Sequence, residues 1–128
     1  MIKNHLQKVK DFNEAFGIKN VPHCLRYKML QEELNEFRDS ELESFANQNT
    51  YIDKVERADA IVDIYYLLLG AIIESKLEDK FSDLFDEVHN SNMSKLENGK
   101  PIYREDGKVL KGKNYFKPNI EAILNKYI

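Results

Sequence analysis

The stretch "ERADAIVDIYYLLLGAII", residues 56–73, decides how the chain folds. From Ala58 to Ile73 apolar side chains fall on every side of a helix, the pattern of a segment enclosed in a bundle or dimer core. Yet it carries Asp59 and Asp63. At about 100° per residue, Glu56, Asp59 and Asp63 stand within about 60° of one another, on the face that holds Ile52, Tyr66 and Gly70. Burying an unpaired carboxylate costs on the order of several kcal/mol, so such a strip calls for partners. A solvated position or a basic neighbour accounts for Glu56, near the start of the helix. Neither accounts well for Asp63, set among Ile61, Val62, Ile64, Tyr65 and Leu67.

Upstream, "MLQEELNEFRDSELESFA", residues 29–46, places a second set of acids beside an apolar stripe. With Leu30, Leu34 and Phe37 as the core direction, Glu33 lies about 60° from that stripe and Glu36 about 120°, next to Met29. Glu32 points nearly opposite, toward solvent or the outside of a site. "EELNE" and "ERAD" thus each set two carboxylates at i and i+3. The nineteen residues between Glu36 and Glu56 suffice to finish one helix, turn and return antiparallel. Two facing pairs make an oxygen-rich anionic cage in a bundle core, which suits Mg²⁺, with Mn²⁺ as an alternative.

The rest of the chain fits a single domain over residues 1–128. At 42% hydrophobic and 32% charged it is long enough to bury a core and too apolar to be disordered. A net charge of −3 gives no broad basic field for nucleic acid. One cysteine, Cys24, excludes an internal disulfide and suits a reducing cytoplasm; the sequence places it as an inert, buried thiol. "MIKNHLQKVKDF" lacks a signal-peptide core, and "AIVDIYYLLLGAII" is too short and interrupted to span a bilayer. Three prolines and five glycines punctuate the chain. Gly17 ends a first helix over about 2–16, and Pro22 precedes a second over about 25–47. "NQNT" separates it from a third over about 51–75, and a fourth follows over about 78–96. Asp106-Gly107 between β-prone runs marks a hairpin, and "NIEAILNKYI" a last short helix. The expected fold is all-α: a four- to five-helix bundle with a small β-hairpin near the carboxy terminus.

On the fourth helix, the apolar line Phe81, Leu84 and Val88 lies within about 80° of Asn92 and Lys95, which places an amide and a cation inward for a substrate. Lys111, Lys113, Asn114 and Tyr115 form a basic and aromatic cluster beyond the hairpin, as compatible with a solvated loop as with substrate binding. His5, His23 and His89 lack zinc-ligand spacing. Tyr65, Tyr66, Leu67 and Leu68 read as core or dimer interface. Arg26 is placed either to pair with a site carboxylate or to cover the core edge.

The E-x-x-E and E-x-x-D pairs, here Glu33-Leu-Asn-Glu36 and Glu56-Arg-Ala-Asp59, resemble those of the all-α nucleoside triphosphate pyrophosphohydrolases. That superfamily includes MazG, dimeric dUTPase and phosphoribosyl-ATP pyrophosphohydrolase. "FNEAFG", "LRYKMLQEELNEF" and "EVHNSNMSKLENGKPIYREDGKVLKGKNYF" extend the resemblance to about residues 9–118. It implies a MazG-like fold and hydrolysis of a nucleoside triphosphate between the α and β phosphorus, giving a monophosphate and pyrophosphate. It also implies Mg²⁺ on Glu33, Glu36, Glu56 and Asp59, with Asp63 an addition, and Glu33 or Glu36 orienting the water. A homodimer or dimer of dimers is expected, since the third helix is apolar on more sides than one small bundle covers. Neither nucleic acid nor membrane is an expected partner. The competing readings are a catalytically silent nucleotide-binding or interaction bundle, and a hydrolase of a phosphoribosyl-linked nucleotide.

Overall fold

The computed structural model describes residues 1–22, 24–47 and 51–126, with the side chains of 43–47 and 51–53 excepted. The order of elements is α1 (Ile2–Ala15), α2 (Leu25–Asn47), α3 (Tyr51–Glu74), α4 (Phe81–Met93), β1 (Ile102–Tyr103), β2 (Val109–Leu110) and α5 (Ile120–Asn125). The chain is therefore mostly helical, with one small antiparallel hairpin near its carboxy terminus. It divides into two compact units, Met1–Glu78 and Asp79–Ile128. The expected break at "NQNT" falls on residues 48–50, and the end of the last expected helix on Tyr127 and Ile128, outside the described residues.

In the first unit α3 packs along α2 and, over a smaller area, on α1. Their sense is antiparallel: Arg26 near the start of α2 meets Glu74 at the end of α3. Gly17 ends α1 as its position suggests. With φ of 65° it sits in the left-handed region, while Gly17 N donates to the Glu14 carbonyl and Ile18 N to that of Asn13. Lys76 closes α3 in the same way at φ 55°, with Lys76 N donating to the Ile73 carbonyl and Leu77 N to that of Ile72. Leu6 and Val9 of α1 and Ala60, Leu69 and Ile72 of α3 are buried. So is Ser40 of α2, whose hydroxyl donates to the Phe37 carbonyl at 2.7 Å and so does not go unpaired.

One expectation fails here. Cys24 is exposed, with φ of 66°, because it stands in the turn that leads into α2 instead of on the helix. The apolar circumference of α3 does exceed what this chain covers: Ile61 is 49% and Val62 60% exposed, for α1 and α2 cover part of it and leave the remainder bare.

In the second unit α4 spans Phe81–Met93, shorter at both ends than the sequence suggests. Its buried line is Leu84 and Ser91, seven residues apart, while Val88 and Asn92 are exposed. Asn92 therefore does not extend the inward stripe, and Lys95 lies beyond the helix end, where helical phase no longer applies. Serines tie the later chain to α4: Ser91 Oγ donates to the Phe116 carbonyl at 2.8 Å, and Phe116 N donates to Ser94 Oγ at 3.0 Å. The hairpin pairs Ile102 with Leu110 and Tyr103 with Val109 around Gly107, whose φ is 89°. Asn119 caps α5 by accepting from Ala122 N at 3.1 Å.

At Gly112 the backbone passes close to another segment. Its N–H donates to the Lys95 carbonyl at 2.9 Å, and a Cβ would stand 2.7 Å from that oxygen and 3.0 Å from Glu97 Cβ. Gly112→Ala is expected to destabilise this unit by about 1–3 kcal/mol, since backbone atoms have little room to yield. Urea denaturation measures it; an unchanged midpoint would show that the segment moves aside freely.

Candidate functional site

The acids of α2 and α3 fall into two neighbouring groups, both within the first unit. Glu36, Asp39, Glu56 and Asp59 line a cleft of about 310 Å³ among whose described lining residues every one is a carboxylate. Glu32, Glu33 and Asp63 line a second, less polar cleft of about 320 Å³ with α1 and the segment that follows it. Glu33 lines the second cleft and feels the charges of Glu36 and Asp59 in the first. Burial pushes its carboxyl up to about 7, helped by a side-chain hydrogen bond that the protonated carboxyl donates to Glu36 and by the charges of Asp63, Glu36 and Asp59. Its Oε2 is buried and has no hydrogen-bond partner among the described residues. Burial and the crowding of like charge both favour the protonated carboxyl in the metal-free protein.

The i and i+3 spacing does bring both expected pairs to the same side of the α2–α3 hairpin. Glu36, Glu56 and Asp59 are exposed into their cleft, while Glu33 and Asp63 are half-buried. Asp39 went unnoticed in the sequence, although the ladder Glu33, Glu36, Asp39 at three-residue steps carries the signal. Asp39 also pairs with Arg38 at 3.1 Å on the exposed face. Glu32, set aside by its helical phase, is exposed as expected but stands at the second cleft.

A preformed cage does not appear: among the described residues no three carboxylate, imidazole or thiol side chains stand close enough to hold one cation. The donor chemistry nevertheless fits Mg²⁺. All donors are hard oxygens, one is buried and unpartnered, and Mg²⁺ ordinarily keeps several waters, taking one or two carboxylates and the rest of its shell from substrate phosphates.

Arg26 pairs with none of these acids. Its Nε and Nη2 donate to Glu74 at 3.3 and 2.9 Å, and its Nη1 donates to the Leu67 carbonyl at 2.9 Å. Glu74 also accepts from Val21 N at 2.8 Å, so one ion pair fastens the segment before α2 to the end of α3. The Arg26 guanidinium holds the Glu74 carboxyl below its usual range against the opposing effect of burial. Gly70 admits this arginine: a Cβ there would collide with the guanidinium.

The substrate-binding candidates of the second unit take these places. Asn92 is exposed, and the half-buried Lys95 gives its carbonyl to Gly112 N. The ammonium of Lys111 stands 4.7 Å from the centre of the Tyr115 ring, and Lys113 lies 3.7 Å from Glu97. Among the described residues no helix is long and apolar enough to cross a membrane.

No curated protein matches the chain. Against protein families, residues 5–92 match phosphoribosyl-ATP pyrophosphohydrolase, a span that runs from α1 through nearly all of α4. It includes both acidic pairs and Asp63, and lies within the MazG-like pyrophosphohydrolase superfamily. A match over more than half of the chain, with the paired acids on consecutive helices, means that the protein belongs to the phosphoribosyl-ATP pyrophosphohydrolase family and is a hydrolase of pyrophosphate bonds.

Proposed function

We propose that the protein hydrolyses a nucleoside triphosphate between the α and β phosphorus in a Mg²⁺-dependent reaction, acting as one pyrophosphohydrolase domain. The observation that carries the reading is the buried, unpartnered Oε2 of Glu33 among Glu36, Asp59 and Asp63, beside a cleft lined with carboxylates. Clustered acids that, apart from Asp39, have no basic partner among the described residues are what a dication with phosphate would repay. Glu36, Glu56 and Asp59 would hold the cation, with Glu33 and Asp63 at its edge. When bound, Mg²⁺ supplies neutralisation of the phosphate oxygens, whose charge otherwise repels a nucleophile.

The chain's own groups then have simple tasks. Glu33, with a carboxyl poised near neutrality, orients a water and takes its proton on a carboxylate oxygen. The water oxygen bonds to the α phosphorus, the bond to the bridging oxygen breaks, and pyrophosphate leaves.

Family membership favours a second substrate, a phosphoribosyl-linked nucleotide cleaved at the same bond. The bare face of α3, with Val55, Ile61, Val62 and Leu68 exposed, supports pairing with a second copy, as a homodimer or dimer of dimers. The single cysteine suits work in a reducing cytoplasm. The test is a panel of nucleoside triphosphates and phosphoribosyl-ATP, with and without Mg²⁺, with products separated by chromatography. Monophosphate and pyrophosphate from a triphosphate are expected. A diphosphate and orthophosphate as first products would refute the reading, and turnover of phosphoribosyl-ATP with no triphosphate cleaved would select the second substrate.

A further inference from the structure

The Arg26–Glu74 pair stands apart from the acidic groups, yet its place along α2 and α3 matches theirs. The Arg26 guanidinium rests against Gly70 of α3, where a Cβ would collide with it, and its Nη1 donates to the Leu67 carbonyl at 2.9 Å. Seven residues along α2 lead from Arg26 to Glu33, and seven back along the antiparallel α3 lead from Gly70 to Asp63. At about 100° and 1.5 Å per residue, each step is close to two turns and roughly 10 Å, so it returns to the same face. Glu33 thus meets Asp63 in the register in which Arg26 meets Gly70. The charge of Asp63 accordingly helps to raise the Glu33 carboxyl.

Along this seam the apolar contacts are non-directional and tolerate sliding. The acids oppose it outright once they ionise, since Glu33 faces the charges of Asp63 and Asp59 on the other helix. Among the described residues, Arg26 makes every side-chain hydrogen bond that joins α2 to α3. Three nitrogens of one planar group, two on the Glu74 carboxylate and one on the main chain, cannot keep their partners if one helix moves by a residue. The Leu67 carbonyl is the decisive partner, because a backbone oxygen cannot follow a sliding helix by changing rotamer.

We propose that Arg26 is a positioning residue: through the Leu67 carbonyl it fixes the register of α2 on α3 that brings Glu33 beside Asp59 and Asp63. Its consequence for turnover rests on the reading of these acids as the cation site; the register itself does not. Arg26→Lys keeps the charge and loses the fork, while Gly70→Ala keeps Arg26 and Glu74 and displaces the guanidinium. Each is expected to weaken the binding of Mg²⁺ alone, read by calorimetry, by about tenfold and to lower kcat by about tenfold or more, at a temperature where the variant is fully folded. Glu74→Gln leaves an acceptor for Arg26 and Val21 N and leaves the Leu67 bond in place. It should lower Tm yet keep Mg²⁺ affinity and kcat within about twofold. A role in stability alone would leave Mg²⁺ affinity and kcat at the wild-type value in all three folded variants.

A double-mutant cycle reads the register with neither metal nor substrate. At pH 8 with chelator, Glu33→Gln should raise Tm in the wild-type background by relieving repulsion, and beside Arg26→Lys that gain should fall by about half or more. Equal gains in both backgrounds would overturn the proposal. So would wild-type Mg²⁺ affinity in folded Arg26→Lys and Gly70→Ala. If the wild type binds no Mg²⁺ and cleaves no nucleotide while the cycle shows the coupling, the hydrolytic reading falls and the register stands. Cleavage with an additive cycle gives the reverse.

Discussion

Glu36→Gln, Glu56→Gln and Asp59→Asn are each expected to lower turnover by about a hundredfold or more and to weaken Mg²⁺ binding, with the metal-free fold intact or slightly stabilised. Each of these residues lines the carboxylate cleft, so each amide removes one unit of the charge that attracts the cation and leaves the shape nearly unchanged. Glu33→Gln should be at least as damaging, since it removes the carboxyl that interacts with Glu36, Asp59 and Asp63. Asp39→Asn tests the member that the sequence did not flag: a loss of Mg²⁺ affinity near that of Glu36→Gln would place it with the ligands. Asp39 also pairs with Arg38, however, and a small loss would leave it a surface ion pair. Glu32→Gln should cost far less in metal affinity. Steady-state kinetics with metal titrations decide these cases, and Glu32→Gln as severe as Glu33→Gln would refute the division of the acids.

The metal-free protein is expected to lose stability as pH rises from about 5 to 8, opposite to the ordinary behaviour of a paired carboxylate. The carboxyl of Glu33 is raised from 4.5 to about 7 by burial first and by Glu36, Asp63 and Asp59 after it. The folded state therefore holds a proton that the unfolded chain has already released. Its contribution is present in full below the unfolded value and disappears as pH passes through the folded one. Shared with its neighbours, the effect is on the order of 2 kcal/mol, or roughly 7 °C in Tm. The lowered carboxyl of Glu74 acts in the opposite sense but only as pH falls below its ordinary range, so the two windows stay apart. Melting curves at several pH values in the presence of chelator read the slope. Glu33→Gln should flatten it, and Mg²⁺ should raise Tm more at pH 8 than at pH 5, because cation and proton compete for the same carboxylates. A variant with the wild-type slope would show that another group titrates in this range.

Short-range chemistry was legible without coordinates. The limits of α2 fell at Leu25 and Asn47 as expected, Gly17 ended α1 in the left-handed conformation, and Asp106-Gly107 turned the hairpin. Each is decided within a few residues by φ preference, capping and periodicity. The same reasoning found the two acidic pairs, because spacing of three fixes which side chains share a helical face. Helical phase failed where the helix itself was misjudged. With α4 ending at Met93, its buried line runs from Leu84 to Ser91, so Asn92 turns outward in its unit and Lys95 leaves the helix altogether.

What the sequence by itself determined, then, is that Glu33, Glu36, Glu56, Asp59 and Asp63 occur on two consecutive helices at spacings that let them face one another. Only the tertiary structure decided that Glu36, Asp39, Glu56 and Asp59 share one cleft while Glu32, Glu33 and Asp63 border another. It also decided that Arg26 is taken by Glu74 at the far end of α3, and that Cys24 stands exposed in a turn. The physical reason is that desolvation and pairing depend on groups brought close from distant positions. Arg26 and Glu74 are 48 residues apart, and no periodicity within one helix reports which neighbour will cover or neutralise a given side chain.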